Sequence, residues 1–480
     1  MEEGNNPVKP EAIGAVLVLV LAVAIIPALA QPPPAHRGAG EPAAVEKAGQ
    51  VTPNASEQSQ QSGSAEEQRL TLADCFRIAL QNRPALRAAE ASVAAARASV
   101  RAQEARRTPS LTGTWSWSKT QTVPRVTRLP GGVIMTRSGV TISREASVAL
   151  DLTLFQTGLH EGIQAARESQ RASVYELEDT RRALLQQVAE LYYTCLADRR
   201  LAEVRAEGVR TALRHLEMVD ARIEAGTAAR SDRLPVEVEL AQARLLAIQA
   251  ENALRQDLAN LRSALGLKSS DLPALAEALS IPQFAAEPEQ LAARALQTRP
   301  DLKARKHSVE SLKWNLRQAK LNARLSLALN AHGEYGRYTA GAEGKSWWLG
   351  ISLTLPFLRE QARAEVQRTK ALLDQAQQNL AELELQILQQ VEQAYLALVE
   401  AQARVEQADK SLQAARQNLQ IAEERYRVGV GNIIEVTDAE QSLREAEAAY
   451  VQAVYDYNIA RVRVLSASGA DLQQSLGGGQ

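Results

Sequence analysis

The acidic residues in the stretch ERYRVGVGNIIEVTDAE, residues 424–440, are the side chains whose types and spacing best suit ion chemistry. Glu435 and Asp438 stand three positions apart, so they share one face of a helix that begins after Gly429 and Gly431. Copies of this face gathered around one axis would repel one another and bind cations. Alternatively, both acids only complement the positive end of the helix macrodipole.

The other reactive side chains are scattered along the sequence. The five histidines are His36, His160, His215, His307 and His332. Histidines on helix surfaces are usually solvated, and no nucleophile motif or glycine-rich phosphate loop is present. The two cysteines, Cys75 and Cys195, lack CxxC spacing and are either a disulfide pair or two buried thiols. We therefore expect no enzyme, no cofactor and no metal site.

Composition excludes a further class of function. Aromatic residues make up 4% of the chain, whereas Ala, Gln, Glu, Leu and Arg are abundant, which is typical of long helices. Lys and Arg number 55 against 56 Asp and Glu, so the charge is balanced. No basic stripe is available for nucleic acid, and we expect no nucleic-acid partner.

The N-terminus has the pattern of a secretory signal. An apolar run over residues 12–26 is followed by small residues up to Ala30, which predicts a signal peptide, residues 1–30, cleaved after Ala30. The alternative is an uncleaved membrane anchor, because the run is nearly long enough to span and Lys9 is the only basic residue before it. Residues 31–69 are rich in Pro, Gly, Ser and Gln, which predicts a disordered leader.

The rest of the chain contains two similar copies of one sequence pattern. The pair Arg83-Pro84 aligns with Arg299-Pro300, and ARIEAGTAARSDRLPVE aligns without a gap with ERYRVGVGNIIEVTDAE. Such self-similarity predicts a tandem duplication. The predicted parts are a first repeat, residues 70–265, an equatorial segment between the repeats, 266–290, a second repeat, 291–470, and a flexible C-terminal tail, 471–480.

Each repeat predicts one order of elements. A helix opened by Pro84 or Pro300 precedes two strands of alternating polarity. A helix of roughly 100 Å follows, turns at a hairpin tip near Gly226 or Gly429, and gives way to a shorter return helix. The predicted strands cover about residues 110–119, 146–155, 325–335 and 346–355.

The four strands indicate a membrane. No other segment is left to cover their apolar faces, and about ten residues suits a tilted transmembrane strand. Lipid does not tolerate open sheet edges, so the strands must close with those of other chains, as eight strands from two chains or twelve from three. The tryptophans near the strand ends fit a membrane-interface belt: Trp115, Trp117, Trp347 and Trp348.

The duplication, the strand pairs and the turn RYRVGVGNIIEVTDAE together resemble the TolC-type outer-membrane efflux proteins, over residues 70–470. The resemblance implies a mainly α fold with membrane β-structure: a homotrimer with a twelve-stranded barrel in outer-membrane lipid and a long α-helical coiled-coil barrel in the periplasm. It implies the outer-membrane channel of a tripartite efflux or type I secretion system, working with a periplasmic adaptor and an inner-membrane pump. The alternative is a structural coiled-coil scaffold of the envelope without channel activity.

The resemblance also implies roles at the two turns. The adaptor-contacting tips match Ala225, Gly226, Thr227, Val428, Gly429 and Val430. The gate matches Asp232 and Tyr426, and the pore constriction matches Glu435 and Asp438. Known members have a basic residue where this chain has Gly431, so the gate is either looser or held by Arg427 or Arg230 instead.

Overall fold

The computed structural model describes residues 69–477 with short gaps. The described ranges are 69–122, 126–129, 132–135, 139–226, 229–268, 273–276, 281, 284, 286–322, 325–338, 343–355, 360–428 and 430–477. The predicted signal peptide, residues 1–30, and all but the last residue of the predicted leader, 31–69, lie outside these ranges.

Both repeats follow the same order of elements. The first contains α1 (Leu72–Asn82), α2 (Pro84–Ala105), β1 (Ser110–Thr122), β2 (Val126–Leu129), β3 (Gly132–Met135), β4 (Gly139–Gln156), α3 (Leu159–Glu224), a short 3-10 helix (Arg230–Asp232) and α4 (Arg233–Leu265). The second contains α5 (Pro288–Thr298), α6 (Pro300–Asn322), β5 (Ser326–Tyr338), β6 (Glu343–Thr354), α7 (Glu360–Arg427), α8 (Ile433–Ala467) and α9 (Leu472–Gly477).

The helices α3 and α7 are the long elements of the chain, with 66 and 68 residues. Neither contains proline, so their hydrogen-bond ladders run without a break. After α3 the chain turns at Gly226, whose φ of 71° is the left-handed conformation that favours glycine. Among the described residues, no helix combines the length and the apolar character needed to cross a membrane.

Four strands form one antiparallel sheet in the order β1-β4-β5-β6, so the two repeats meet where β4 pairs with β5. The strands reach further than the sequence predicts, with 18 residues in β4 and 13 in β1. Nearly all of the additional residues lie toward the segment between β1 and β4, where β2 and β3 pair as a small hairpin. Within the described chain, β1 and β6 each have one unpaired edge.

The described chain divides into two compact units. One comprises residues 98–167 and 311–373, with the strands and the adjoining helix ends, and the other comprises the remaining helical residues. The helical unit buries two apolar clusters, of which one contains Phe76, Tyr192 and Leu265 and the other contains the corresponding short helix α5. Where a flexible tail is predicted over 471–480, α9 forms instead, because Leu472 is buried in the first cluster.

Cys75 and Cys195 are both fully buried in the first cluster, as unpaired thiols. Burial, foremost, raises the pKa of each thiol to about 12. A thiol with so high a pKa carries almost no thiolate at neutral pH and is therefore a poor nucleophile and a poor metal ligand. The cysteines act as small apolar side chains of the core.

The duplicated Arg-Pro pair ties three helix ends together in each repeat. Arg83 caps α1 and donates to the carbonyl of Ser263 near the end of α4. Its counterpart Arg299 caps α5 and donates to the carbonyl of Ala467, 3.4 Å away, at the end of α8. A cation at a helix C-terminus meets carbonyls that have no partner within the helix and stabilises the negative end of the dipole.

The two arginines differ in burial and in partners. Arg299 is only 4% exposed and forms an ion pair of 2.6 Å with Asp301. Burial by itself would raise the pKa of Asp301, but the guanidinium of Arg299, followed by that of Arg182 at 4.0 Å, holds this pKa below its ordinary value. In the first repeat Ala85 stands at the position of Asp301, so Arg83 has no carboxylate there.

We expect Arg299→Ala to destabilise the protein by about 3–5 kcal/mol, because it leaves the partly buried carboxylate of Asp301 without its partner. The matched variant Arg83→Ala should cost about 1 kcal/mol, the net value of one hydrogen bond. Thermal unfolding in detergent, followed by circular dichroism, measures both. Equal losses would show that the buried ion pair adds nothing to the shared capping role.

Candidate functional site

The first hairpin turn contains hydrogen bonds between its own residues. After Gly226 the chain enters the short 3-10 helix, and the carboxylate of Asp232 accepts hydrogen bonds from the Ala229 amide and the Ser231 hydroxyl, both at 3.2 Å. Asp232, which the sequence assigns to the gate, thus holds the turn that leads into α4. Thr227, one of the predicted tip residues, lies outside the described residues.

The second turn ends α7 and starts α8 within a few residues. The amides of Val430 and Gly431 both donate to the carbonyl of Arg425 at 3.0 Å, which closes the end of α7. The side chain of Asn432 then accepts from the Ile434 amide and caps α8. Gly429 lies outside the described residues.

Several exposed residues of the turns are apolar. Val428 and Val430 are 67% and 70% exposed, and Ala225 and Gly226 of the first turn are exposed too. Apolar side chains held out by a tight turn have little to bury them within their own chain. They therefore suit contact with another molecule.

Two arginines that the sequence analysis did not select lie at the second turn. The guanidinium of Arg222, near the end of α3, lies over the ring of Tyr426 at 4.3 Å, a cation–π contact between the two hairpins. Arg425 lies 3.7 Å from the carboxylate of Glu435. The sequence suggests Arg427 or Arg230 only as substitutes at the gate. It does not reveal the contacts of Arg222 and Arg425, because residues of different helices can be matched only once their packing is known.

Gly431 has no room for a larger residue. A β-carbon at this position would lie 2.9 Å from the amide nitrogen of Tyr426 and 3.0 Å from backbone and side-chain carbons of Arg425. Contacts this short do not occur between unstrained atoms, so the compact turn itself requires glycine. The basic residue that the resemblance leads one to expect at this place does not fit the turn seen here.

Glu435 and Asp438 lie together on the exposed side of α8. Val436 and Ala439, on the other side, are buried against Ala422 of α7. Both carboxylates therefore lie on one exposed face of the helix, as their spacing predicts. Arg425 offsets part of the charge of Glu435, although a pair that is half exposed on both sides contributes little.

The sheet shows a boundary between apolar and charged side chains across its four strands. Directly opposed residues of antiparallel strands share a face, so the register defines cross-strand rows. Four successive rows on one face are Leu111, Leu150, Ala331 and Leu349; Gly113, Val148, Gly333 and Trp347; Trp115, Ala146, Tyr335 and Lys345; Trp117, Arg144, Arg337 and Glu343. The row with Trp115 and Tyr335 separates the apolar rows from the charged row, which is where an interfacial belt belongs.

Trp348 is the exception among the four predicted belt residues. It lies opposite His332, with ring centroids 6.3 Å apart, on the face that also carries the hydrogen-bonded Asn330 and Ser352. Trp347 points to the apolar face and is 77% exposed. Successive side chains of a strand alternate between faces, so the two neighbours cannot belong to one belt.

One histidine departs from the expectation of solvated helix surfaces. His215 is only 6% exposed, at a place where α3, α4 and α8 meet, with Glu239 and Glu440 beside its ring. A buried histidine between two carboxylates gives no signal in the sequence, because the three residues come from separate helices. The prediction of a solvated side chain is wrong here.

The model of the outer membrane efflux protein family matches the chain twice, over residues 76–267 and 291–470. The two matches cover most of the chain and coincide with its two repeats. The chain belongs to this family. The family comprises efflux channel proteins and not enzymes, and the confirmed location is the outer membrane with an extension into the periplasm.

Individual relatives agree with this assignment. The toluene efflux pump outer membrane protein TtgC of Pseudomonas putida is 26% identical over 397 residues, 79% of each chain. The outer membrane protein TolC of Vibrio cholerae is 24% identical over 418 residues, 84% of this chain and 92% of the relative. The outer membrane channel CmeC of Campylobacter jejuni has the same fold, with a TM-score of 0.72 at 18% identity over 85% of this chain and 88% of the other.

The comparisons confirm the fold class and function class predicted from the sequence. The duplicated long helices with four strands are the fold of outer-membrane channels. The protein is an outer-membrane efflux component, and the alternative of a structural coiled-coil scaffold is not supported.

We expect Gly431→Arg to loosen the second turn and not to supply a gate contact, because its β-carbon collides with the backbone of α7. Hydrogen–deuterium exchange over residues 425–437 should rise. Val430→Arg adds the same charge at an exposed neighbouring position and is the control, for which exchange should stay unchanged. Protection that increases in Gly431→Arg would contradict the steric argument.

Proposed function

We propose that this chain assembles as a homotrimer into a continuous outer-membrane duct, in a tripartite efflux or type I secretion system. In this function the strands of three chains close a twelve-stranded barrel in outer-membrane lipid, and the helices enclose a passage through the periplasm. The periplasmic turns engage an adaptor protein and, through it, an inner-membrane pump.

The sheet is the observation that carries this proposal. Its edges at β1 and β6 are unpaired among the residues that the structure describes, and lipid cannot satisfy backbone N–H and C=O groups. Its apolar face is exposed, with Leu111 at 60% and Ile351 at 69%. A second and third copy would pair both edges, while lipid would cover the apolar face.

Exposed apolar side chains of the helical unit support assembly by the same copies. On α4 they recur at helical spacing, at Leu234, Val238, Leu245 and Ile248, and all four are more than half exposed. On α7 a comparable row contains Leu385, Leu388, Leu396 and Val399. Neighbouring chains in a helical barrel would bury both rows.

The turns supply the adaptor contact in this proposal. The exposed Ala225, Gly226, Val428 and Val430 offer small apolar surfaces at the hairpin turns, and Thr227 and Gly429 are included from the sequence alignment. Glycine is also needed for the turns themselves, as the left-handed φ of Gly226 shows. In this proposal the same turns have two roles, the structural one and contact with the adaptor.

Glu435 and Asp438 form the entrance constriction, and Asp232 and Tyr426 belong to its gate. Three copies would gather six carboxylates around one axis. Like charges at 4 Å repel by about 1 kcal/mol per pair even in bulk water, and by more in a confined pore. Such a ring attracts cations and excludes anions.

We expect Glu435→Ala with Asp438→Ala to remove most of the cation preference of the channel in planar bilayers, together with most of its block by multivalent cations. The control is Asp220→Ala with Glu237→Ala, which removes one aspartate and one glutamate paired with Arg233 on the first hairpin. That control should conduct and select as the parent does.

Mass in detergent tests the assembly separately from the constriction. A trimer in the outer-membrane fraction supports the duct, whereas a monomer or dimer contradicts it. Unchanged selectivity and block in the trimeric double variant would remove Glu435 and Asp438 from the pore while leaving the duct in place.

A further inference from the structure

Four ionisable side chains meet inside the helical unit, close to the hairpin turns but apart from their exposed residues. His215 comes from α3, Glu239 from α4, and Glu440 and Arg444 from α8. Their side chains are between 7% and 17% exposed. Charged groups are buried only where partners or a bound ion compensate for lost hydration.

Two buried polar atoms of this cluster have no hydrogen-bond partner. Nε2 of His215 lies 2.9 Å from Oε1 of Glu440, a normal contact. Nδ1 of the same ring and Oε2 of Glu239 are both buried without any hydrogen bond, and they face each other across 3.8 Å. This distance is too long for a hydrogen bond and leaves space for a cation between the two atoms.

The donor set suits a transition metal. One ligand atom from each of His215, Glu239 and Glu440 lies within 4.8 Å of the others. Ligands of a tetrahedral zinc ion at its usual bond lengths stand about 3.4 Å apart. Since Glu440 faces Nε2 and Glu239 faces Nδ1, the Glu440 carboxylate must rotate toward the Nδ1 side for all three groups to reach one ion. Imidazole nitrogen with carboxylate oxygen is a combination that Zn²⁺ accepts.

Arg444 holds the carboxylates in the orientation that such a site needs. Its guanidinium donates to Oε1 of Glu239 at 2.7 Å and to Oε2 of Glu440 at 3.3 Å, the oxygens turned away from the imidazole. The remaining oxygen of each carboxylate is left toward His215. Hydrogen bonds of this kind orient metal-binding carboxylates in known sites.

We propose that His215, Glu239 and Glu440 bind one divalent transition-metal ion of the zinc type, with Arg444 as the residue that positions both carboxylates. The ion would link the first hairpin, through α3 and α4, to the return helix α8 of the second repeat. With a neutral imidazole, the two carboxylates and the guanidinium carry one net negative charge, which favours a dication.

A proton competes for the same place. The carboxylate of Glu239, followed by that of Glu440, raises the pKa of His215 to about 9, while Arg444 is the cation facing the cluster from α8. A metal ligand must be an unprotonated imidazole, so binding near neutral pH releases about one proton per ion. The apparent affinity should therefore fall as the pH falls, because the proton competes with the metal ion for the imidazole.

Titration of Zn²⁺ into the purified full-length protein, stripped with a chelator and kept in detergent, tests the proposal. We expect one ion per chain by isothermal calorimetry, with the stated pH dependence, and no competition from Mg²⁺, which prefers six oxygen ligands. X-ray absorption should show nitrogen and oxygen ligands only. These measurements are made on the chain itself and do not depend on export activity.

His215→Gln should weaken zinc binding at least about 100-fold, and Glu239→Gln provides a second variant if the first does not fold. His307→Gln is the matched control, since His307 pairs with the single carboxylate of Glu168 at 2.7 Å in the same unit, and it should bind zinc as the parent does. Arg444→Gln should weaken zinc binding about 10-fold and keep one ion per chain, because the ligands remain but lose the hydrogen bonds that position them.

A parent that binds no zinc overturns the proposal and leaves the cluster as an ionic network held by a proton. Equal zinc binding by the parent and both ligand variants overturns it as well, because the metal is then bound elsewhere.

Discussion

The unpaired edges of the four-stranded sheet are the constraint on which the rest of this molecule depends. A backbone N–H or C=O group without a partner costs several kcal/mol in lipid, so a sheet open at β1 and β6 cannot remain alone in a membrane. Pairing of both edges with strands of further copies removes this cost. The duplication is useful for such pairing because it doubles the number of strands that each chain supplies. Two strand pairs in one chain supply four strands, and the pairing of β4 with β5 joins them into one sheet, a third of the proposed twelve-stranded barrel, that only other chains can complete.

The two copies of the sequence pattern do not contribute equally to the stability of the fold. Arg83 and Arg299 cap equivalent helices and reach carbonyls near the ends of equivalent helices, yet Arg299 alone is buried against Asp301 and Gln390. One copy of the motif has thereby become an ionic anchor while the other remains a helix cap. Repeats that share a backbone can thus acquire different local stability through one or two substitutions beside a common residue.

The hairpin turns show how space and charge act together. Gly431 is required because the backbone of α7 lies within 3.0 Å of any β-carbon placed there, whereas Gly226 is required by its left-handed φ. Two of the arginines near the turns have a defined partner, Arg222 on the ring of Tyr426 and Arg425 beside Glu435. The same elements thus hold the turn compact and leave Glu435 and Asp438 exposed.

The sequence by itself determined the repeat, the order of elements, the alternation of the strands and the exposed face of Glu435 and Asp438, since each follows from local periodicity. Alternation alone would also have separated Trp347 from Trp348. Only the tertiary structure decided that strand rows place Tyr335 in the aromatic boundary, that Arg222 meets Tyr426, and that His215 is buried with Glu239 and Glu440. Residues distant in sequence meet through the packing of whole helices and strands, and no short-range pattern in the chain records which faces of those elements will touch.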